Sequence, residues 1–306
     1  MSARGFLIVM NAAAGNTDEA TVEQAARRLR SAAADVEVER AGTPGELDDI
    51  LDRRGDRIVV VAGGDGSLHL VIDTLRRRGE LDKVDLGLLP LGTGNDFARG
   101  TGIPLEPQSA AAVLLEVDAS PVDLLVDSVG RIVVNAVHLG VGVDAARRAM
   151  AWKSRFGRAA FAIGAVIAGA RTSGFRKDVL LDGKAVVSRR RQVLQVAIGN
   201  APTIGGGTPI LPDAEVDDGL LNVMVSYATG RWARLGFALH LKRGVHRRRP
   251  DVREFRGRRV TVRARHFWYN ADGELYGPES DVTWHVEPGA FRLLLPPRRE
   301  PSAQPD

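Results

Sequence analysis

Several short segments of the sequence combine glycines with acidic and small polar residues, a composition suited to phosphate and metal chemistry. The first is VVVAGGDGSLHLVIDTL, residues 59–75, where three glycines and Asp65 stand between an apolar run and a helical pattern. Glycine lets the backbone approach a ligand closely, and the first turn of a helix presents free N–H groups to anions. The segment lacks a phosphate-loop lysine, so it predicts an anion site held by backbone amides. A tight turn in which Asp65 caps the helix is the alternative interpretation.

A second segment, LPLGTGNDFARGTGIP at residues 89–104, repeats this pattern after the next apolar run. Thr93, Asn95 and Asp96 offer a hydroxyl, an amide and a carboxylate there. In an open parallel sheet, ligands bind at the carboxyl ends of the strands. The two segments would then lie side by side and could clasp one polyphosphate. An ordinary glycine-rich turn is the alternative.

Two later segments add further carboxylates. GGGTPILPDAEVDDGLLNVMV, residues 205–225, carries four acids within six residues. These are Asp213, Glu215, Asp217 and Asp218. They could hold a hard cation through oxygen ligands, or they could be solvated charges in a β-hairpin. The last segment, Asp272-Gly273-Glu274, reads either as a common two-residue turn between strands or as a pair of carboxylates placed for chemistry.

Strand and helix patterns alternate through the first part of the chain and must position the two glycine segments. Predicted strands lie at 6–10, 36–40, 57–62 and 84–90, and predicted helices at 17–34, 43–53, 67–78 and 107–117. Thr43 and Glu46 have the spacing of a capping box, with Pro44 at the first helical position. This alternation predicts a mostly parallel, doubly wound α/β domain.

The pattern changes near residue 120, after which short β-like runs dominate and one helical segment, about 146–171, interrupts them. Such a succession predicts a second, antiparallel β domain of sandwich-like type. We expect an α/β domain at 1–122 and a β-rich domain at 123–295. The last strand or tail, near 291–306, is expected to pack back on the first domain.

Composition narrows the protein class. The 306 residues include no cysteine, which excludes disulfides and thiolate metal sites and is typical of a reducing compartment. No signal peptide or run of about 18 apolar residues is found, so we expect a cytoplasmic protein. The net charge is +4, and arginines cluster at 189–191, 247–249 and 253–265. They are either solvated surface or a basic face for anionic lipid head groups. No nucleic-acid motif is present, so we expect no such partner.

Together, and in this order, the segments resemble the diacylglycerol kinase catalytic-domain family, in particular its soluble bacterial lipid kinases, which share this domain with sphingosine and ceramide kinases. AGGDGSLHLVIDTL is similar to the family's Gly-Gly-Asp-Gly-Thr-x-Asn-Glu, with Ser67 and His69 replacing threonine and asparagine. LPLGTGNDFAR is similar to Gly-Thr-x-Asn-Asp-Phe-Ala-Arg. GGGTPILPDAEVDDGLLNV and ADGE resemble two further family segments, and the resemblance covers residues 6–295.

The resemblance implies a Rossmann-like nucleotide-binding domain, a β-rich lipid-substrate and metal-binding domain, and an active site in the cleft between them. It implies an ATP- and Mg²⁺-dependent kinase that phosphorylates the hydroxyl group of a lipid such as diacylglycerol. We therefore expect ATP and a lipid as partners, with transient contact of the cytoplasmic protein with a membrane surface. The apolar stretch 151–170 and the arginine clusters are candidate contact surfaces, and a homodimer is an open option.

The resemblance also assigns roles to individual residues. Glu274 corresponds to the general base, with Asp272 in support, and Asp65, Asp96 and Asp123 form an aspartate–water–Mg²⁺ network. A structural Mg²⁺ would bind the Asp218 side chain and the backbone carbonyls of Glu215 and Leu220. The nucleotide contacts would be Asn11, Thr43, Gly63, Gly64, Asp65, Gly66, Ser67, Gly92, Thr93 and Asn95.

One departure concerns the first loop, residues 11–15, which reads Asn-Ala-Ala-Ala-Gly where the family has Asn-Pro-x-Ser-Gly. Other activities stay open at this point. An NAD kinase should carry an Asn-Glu pair after the glycine loop, and a phosphofructokinase should carry a Thr-Ile-Asp-Asn-Asp-like segment. Neither is found in this sequence. A regulatory protein that keeps the fold but not the catalysis is the third alternative.

Overall fold

A computed structural model of the chain describes residues 4–12, 16–32, 35–140, 143 and 174–297, except for the side chains of 16–18. The helix expected at about 146–171 and the apolar stretch 151–170 lie outside the described residues, as do residues 13–15 of the first loop. The chain divides into two compact units. The first holds residues 1–122 and 289–306, and the second holds residues 123–288.

The first unit alternates strands and helices as its sequence pattern predicts. Its elements are β1 (Gly5–Asn11), α1 (Asn16–Ser31), β2 (Asp35–Ala41), α2 (Pro44–Asp52), β3 (Ile58–Gly63), α3 (Asp65–Arg77), β4 (Asp85–Pro90), α4 (Asp96–Thr101), α5 (Pro107–Glu116) and the start of β5 (Ala119–Asp127). The first four strands pair in parallel in the order β2-β1-β3-β4. Helix α1 packs against α5, and α2 packs against α3. The predicted doubly wound α/β fold is confirmed.

Burial follows from the position of each strand in this sheet. The central strands β1, β3 and β4 are almost continuously apolar and buried, as parallel strands covered on both faces must be. Strand β2 lies at the edge, and its charged residues remain at least partly exposed. Glu37 pairs there with Arg57 at 3.0 Å. Charges on an edge strand discourage pairing with another chain.

Helix α2 begins as its sequence predicts. Thr43 is the N-cap and its Oγ1 accepts a hydrogen bond from the Glu46 backbone N–H at 3.2 Å, with Pro44 in the first turn. The Glu46 carboxylate accepts from the Gly42 backbone N–H at 2.6 Å, one residue before the cap. One amide of the first helical turn and one amide just before the cap are thus satisfied by side chains.

The second unit is antiparallel and β-rich, as predicted. Its elements are the end of β5, β6 (Ile132–Val133), β7 (Ala136–Gly140), β8 (Asp178–Leu181), β9 (Lys184–Val187), β10 (Gln195–Gly199), β11 (Leu221–Ser226), α6 (Arg231–Lys242), β12 (Val252–Gly257), β13 (Arg259–Ala271) and β14 (Glu274–Leu294). Its main strand order is β12-β11-β10-β7-β13-β14, and β8 pairs with β13 and β9. Two runs that the sequence separates, 282–288 and 291–296, both fall largely in the 21-residue strand β14. The end of β14 belongs to the first unit, where Arg292 pairs in parallel with Asp85 of β4.

Strands β10 and β11 bury both of their faces. On one face Val196 and Ile198 join the large apolar cluster of the second unit. On the other face Ala197 and Met224 join a smaller cluster, which Phe237 of α6 completes. Alternate residues of a strand point to opposite faces, so this second cluster needs a cover of its own, and α6 supplies part of it.

Helix α6 departs from the sequence-based expectation, which assigns only β-like runs to this stretch. Apolar residues occur on both faces of the helix, including Trp232 and Leu235 as well as Phe237. Its N-cap is Gly230, which offers no side-chain hydrogen bond and therefore no local start signal. No helix among the described residues is long and apolar enough to cross a membrane.

Strand β7 makes the stability of the fold pH-dependent through His138. Burial lowers the pKa of His138 to about 4, and no described group accepts from or donates to its Nδ1. The folded state therefore keeps this imidazole neutral, whereas the unfolded chain protonates it near its ordinary pKa. This contribution is fully present above that ordinary value and is lost as the pH falls towards 4.

We expect the free energy of unfolding in urea to fall by about 2 kcal/mol from His138 alone between about pH 7 and pH 5. H138Q should reduce that fall, because glutamine does not take up a proton in this range. H285Q, which removes a more exposed histidine, is the control. Equal pH slopes for the wild type and H138Q would contradict the assignment.

Candidate active site

The two glycine loops of the first unit lie in direct backbone contact. A Cβ atom added to Gly92 would lie 2.6 Å from the Cα of Gly64, and one added to Gly64 would lie 2.9 Å from the Cα of Gly92. Carbon atoms of packed side chains do not approach so closely, so any larger residue would push the loops apart. Both glycines are therefore required by the packing of the chain against itself.

Gly66 differs from this pair. It is exposed in the first turn of α3, and a Cβ atom there would meet nothing within 4 Å. Glycine within a helix costs roughly 1 kcal/mol relative to alanine, so the fold alone gives no reason for it. The open surface over its backbone is where a ligand could approach the free amides of the helix start.

Asp65 joins the two loops. Gly64 is the N-cap of α3 and Asp65 is its first residue, so the interpretation of Asp65 as the cap of its own helix is wrong. Its Oδ2 accepts from the backbone N–H of Asp96 at 3.0 Å, and its Oδ1 accepts from that of Phe97 at 2.9 Å. Asp65 therefore caps α4, a short helix that is missing from the elements predicted by sequence.

Asn95 shapes the turn into α4. It has φ of 49° in the left-handed region, which asparagine tolerates better than most residues. Its Nδ2 donates to the carbonyl oxygen of Gly92 at 2.7 Å, so the side chain holds its own loop. Its buried Oδ1 has no hydrogen-bond partner in the described part of the chain. Asp96, which follows, is 7% exposed, and the structure thus gathers Asp65, Asn95 and Asp96 at one place.

The predicted nucleotide contacts follow the carboxyl ends of four parallel strands. Asn11 ends β1, Thr43 follows β2, the segment 63–67 follows β3 and the segment 92–95 follows β4. The strand ends are level, since Asn11 pairs with Ala41 and Gly63 pairs with Pro90. Thr43 and Thr93 are exposed. The hydroxyl of Thr43 accepts the cap hydrogen bond and keeps its proton available for a ligand.

In the second unit, Asp272 fixes the turn between β13 and β14. Asp272 and Gly273 have φ of 48° and 92°, as a two-residue hairpin turn with two left-handed positions requires. The Asp272 carboxylate accepts from three backbone N–H groups, at 2.6, 2.9 and 3.2 Å. They belong to Val134, Asn135 and Ala136. Asp272 therefore positions the turn, and Glu274 is the exposed carboxylate beside it.

Glu274 is held by a tyrosine that the sequence analysis does not single out. The Tyr276 hydroxyl donates to Oε2 of Glu274 at 2.7 Å. Burial, with a smaller contribution from this hydrogen bond, raises the pKa of Tyr276 to about 12, so the hydroxyl stays a donor. The ring stacks on Tyr269 at 5.4 Å between centroids, and the Arg131 guanidinium lies 4.7 Å above it. The sequence contains one signal for this contact, since residues 274 and 276 lie two apart in a strand and therefore point to the same face.

In this structure the Asp218 carboxylate of the predicted metal segment contacts other groups of the protein. Asp218 pairs with Arg256 through Oδ2, and its Oδ1 accepts from the Leu220 backbone N–H at 2.8 Å. No group of three or more His, Cys, Asp or Glu side chains in the described ranges forms a metal cluster. The site at Glu215, Asp218 and Leu220 stays a prediction.

Asp123 contacts this segment. It is 3% exposed, and its Oδ2 accepts from the Gly219 backbone N–H at 2.6 Å, while its own N–H donates to the Val216 carbonyl at 2.7 Å. It lies in the second unit. The structure brings Asp65 and Asp96 together, and the joint network of both with Asp123 stays a prediction.

Comparison with known proteins matches both units. Residues 5–126 match the diacylglycerol kinase catalytic domain, and residues 135–295 match the YegS C-terminal NAD kinase beta sandwich-like domain. A Pseudomonas aeruginosa protein named "Probable lipid kinase YegS-like" is 32% identical over 95% of this chain and 94% of its own length. The chain belongs to the family of YegS-like lipid kinases. A YegS-like relative from Stenotrophomonas maltophilia is 29% identical, over 97% of each chain.

Solved structures agree with this YegS-like family at the level of the fold. A diacylglycerol kinase structure from Bacillus anthracis str. Sterne is 18% identical, covers 97% of this chain and 98% of its own, and has a TM-score of 0.70. A second solved chain from the same organism reaches a TM-score of 0.75 at 20% identity, over 97% of this chain and 99% of its own. The recognition of the family and of the fold class from the sequence is confirmed.

Alanine substitution at two glycines of the YegS-like catalytic domain should have opposite effects on stability. We expect G92A to lower the free energy of unfolding by about 1–3 kcal/mol, because the added carbon overpacks the loop contact. G66A should leave it unchanged or raise it by up to about 1 kcal/mol. Urea unfolding measures both. If Gly66 faces the phosphates, G66A should weaken ATP binding in titration calorimetry, and unchanged ATP affinity would remove Gly66 from the site.

Proposed function

We propose that the protein transfers the γ-phosphoryl group of ATP to the hydroxyl group of a lipid such as diacylglycerol. The observation that carries this proposal is the pair of glycine loops at the carboxyl ends of the parallel strands, joined by Asp65. Free amides at a helix start in that position suit the phosphates of a nucleotide. The relatives named as lipid kinases support a lipid as the acceptor.

On the nucleotide side, the loop from Gly63 to Gly66 would donate backbone N–H groups to the phosphates. Phosphoryl transfer depends mainly on positioning and on neutralising charge. Mg²⁺ carried by ATP would supply part of that neutralisation. Asp65 and Asp96 supply the hard oxygen atoms that such an ion prefers, and we propose Asp123 as the third member of this set. Thr43 and Thr93 would donate their exposed hydroxyl groups to the nucleotide.

On the acceptor side, Glu274 would take the proton of the lipid hydroxyl. The hydroxyl oxygen would attack the γ-phosphorus as the bond from that phosphorus to the β–γ bridging oxygen breaks and ADP leaves. The carboxylate is exposed and so is open to a substrate. Asp272 fixes the turn that carries Glu274 through its three backbone hydrogen bonds. Tyr276 holds one carboxylate oxygen, which leaves the other free to accept the proton.

The direct test is a transfer assay. Purified protein is incubated with Mg²⁺, labelled ATP and a panel of diacylglycerol, phosphatidylglycerol, sphingosine and ceramide, with NAD and fructose 6-phosphate as non-lipid acceptors. We expect label on a lipid only. E274Q should abolish transfer while ATP affinity in calorimetry stays unchanged, because the amide cannot accept the proton. Label on NAD or the sugar phosphate alone would refute the proposal, and turnover by E274Q would refute the role of Glu274.

Substitution of two neighbouring tyrosines, one at a time, tests the role of the hydrogen bond to Glu274. Y276F removes the hydroxyl that donates to Glu274, whereas Y269F removes a hydroxyl that has no partner among the described residues. We expect Y276F to lower kcat by about tenfold with KM for ATP unchanged, since a loosely held base is less often in position. Y269F should retain kcat. Equal effects of the two variants would mean that the aromatic stack matters and the hydrogen bond does not.

A further inference from the structure

Helix α6 carries an exposed apolar stripe. Trp232, Leu235 and Leu239 are 85%, 53% and 52% exposed, and they make up half of the large apolar side chains that are exposed in the described residues. The others, Leu70, Leu105 and Val129, lie on three different segments. Spacing of three and four residues places the stripe on one side of the helix. We call these three residues, together with the exposed Arg231, Lys242, Arg243 and Arg248 on α6 and just after it, the α6 face.

The stripe is not needed for packing the core. The opposite side of α6 is anchored by Phe237, which is 3% exposed and completes the smaller apolar cluster of the second unit. Phe237 also makes an edge-on contact with the buried ring of His246, at 6.0 Å between centroids. The helix is therefore fixed in orientation, with its second apolar side turned to solvent.

Uncompensated positive charge lies on α6 and just after it. Helix α6 has no acidic residue. Four exposed cations on α6 and just after it form no ion pair with any described residue: Arg231, Lys242, Arg243 and Arg248. Their neighbours Arg247 and Arg249 are instead paired with Asp213 and Asp251.

We propose that the α6 face docks on an anionic lipid surface, with the helix lying in the plane of the interface. Trp232, Leu235 and Leu239 enter the boundary between head groups and acyl chains, and the four cations meet the lipid phosphates. An apolar stripe of Trp and Leu beside Lys and Arg is the pattern of interfacial helices. This inference rests on the proposed function, because docking would bring the kinase to its lipid substrate.

Charge argues against a second copy of the chain as the partner. In a symmetric dimer the same patch meets itself, so two α6 faces would bring eight unpaired cations together. An anionic lipid surface complements both the apolar stripe and the cations of the α6 face. It offers apolar volume to the stripe and phosphate groups to the cations.

The first test measures vesicle binding by flotation, without ATP. We expect binding to vesicles of equal parts phosphatidylcholine and phosphatidylglycerol, weakening with salt, and little binding to phosphatidylcholine alone. The triple variant W232S/L235S/L239S should bind at least about tenfold more weakly, in line with the loss of three buried apolar side chains. R231Q/K242Q/R243Q/R248Q should lose most of the salt dependence. V129S, which alters an exposed apolar residue elsewhere in the second unit, is the matched control and should bind like the wild type.

The second test follows Trp232 directly. The fluorescence of the wild type minus that of W232F isolates this residue from the other three tryptophans. We expect emission typical of an exposed indole in buffer and a blue shift when the anionic vesicles are added. Circular dichroism of each variant verifies that the fold is retained.

Each of the following results would overturn the proposal. They are unchanged vesicle binding by the triple variant, blue-shifted Trp232 emission already in buffer, and a wild-type dimer in analytical ultracentrifugation that the triple variant abolishes. The last two would show that another segment of this chain or a second copy covers the face. Docking is measured without turnover, so vesicle binding without lipid phosphorylation would refute the proposed function alone. Phosphorylation of a detergent-dispersed lipid without vesicle binding would refute this inference alone.

Discussion

The glycine loops of the candidate site depend on one interaction. The Asp65 carboxylate accepts hydrogen bonds from two backbone N–H groups at the start of α4. Helix α4 has only six residues and no side-chain cap of its own, so it needs a cap from elsewhere in the chain. Hydrogen bonds to a charged group contribute roughly 1.5–3 kcal/mol each, which is large for so short a helix. They also draw the two glycine loops together, and the contact of Gly64 with Gly92 is possible only because neither residue has a side chain.

Carboxylates that look catalytic in the sequence thus perform two different tasks. Asp65 accepts two backbone N–H groups and fixes the start of α4, and Asp272 accepts three and fixes a turn. Glu274 is exposed and held by a single hydroxyl group. Asp123 resembles Asp65 and Asp272 in this respect, because its carboxylate accepts a hydrogen bond from the backbone N–H of Gly219. Rigid placement of the reacting groups is what the proposed phosphoryl transfer would require, and aspartates bound to backbone amides stiffen the candidate segments in each unit separately.

Features of the fold with a local signal could be predicted from the sequence. The alternation of apolar strands with capped helices predicted the first unit, and the Thr43–Glu46 spacing predicted the start of α2. Helices α4 and α6 were not predicted, because α4 is capped by a residue 31 positions away and α6 begins after Gly230, without a side-chain cap. For the site, the residue types were visible, but the partners of Asp65 and Asp272 were not, since those partners are backbone amides far along the chain. The contact of Tyr276 with Glu274 could have been predicted, because residues 274 and 276 share one face of a strand.

The shared strand β14 has a consequence for how the chain is made. Its final residues complete the sheet of the first unit, where Arg292 pairs with Asp85 at the outer side of β4. A ribosome delivers the chain from its amino end, and domains usually fold in that order. Here the first unit must wait for residues 289–294, which are synthesised after the whole of the second unit. Until then the outer edge of β4 is an open strand edge in the nascent chain, the kind of edge that invites aggregation. Completion of the amino-terminal unit is therefore coupled to the synthesis of the second unit.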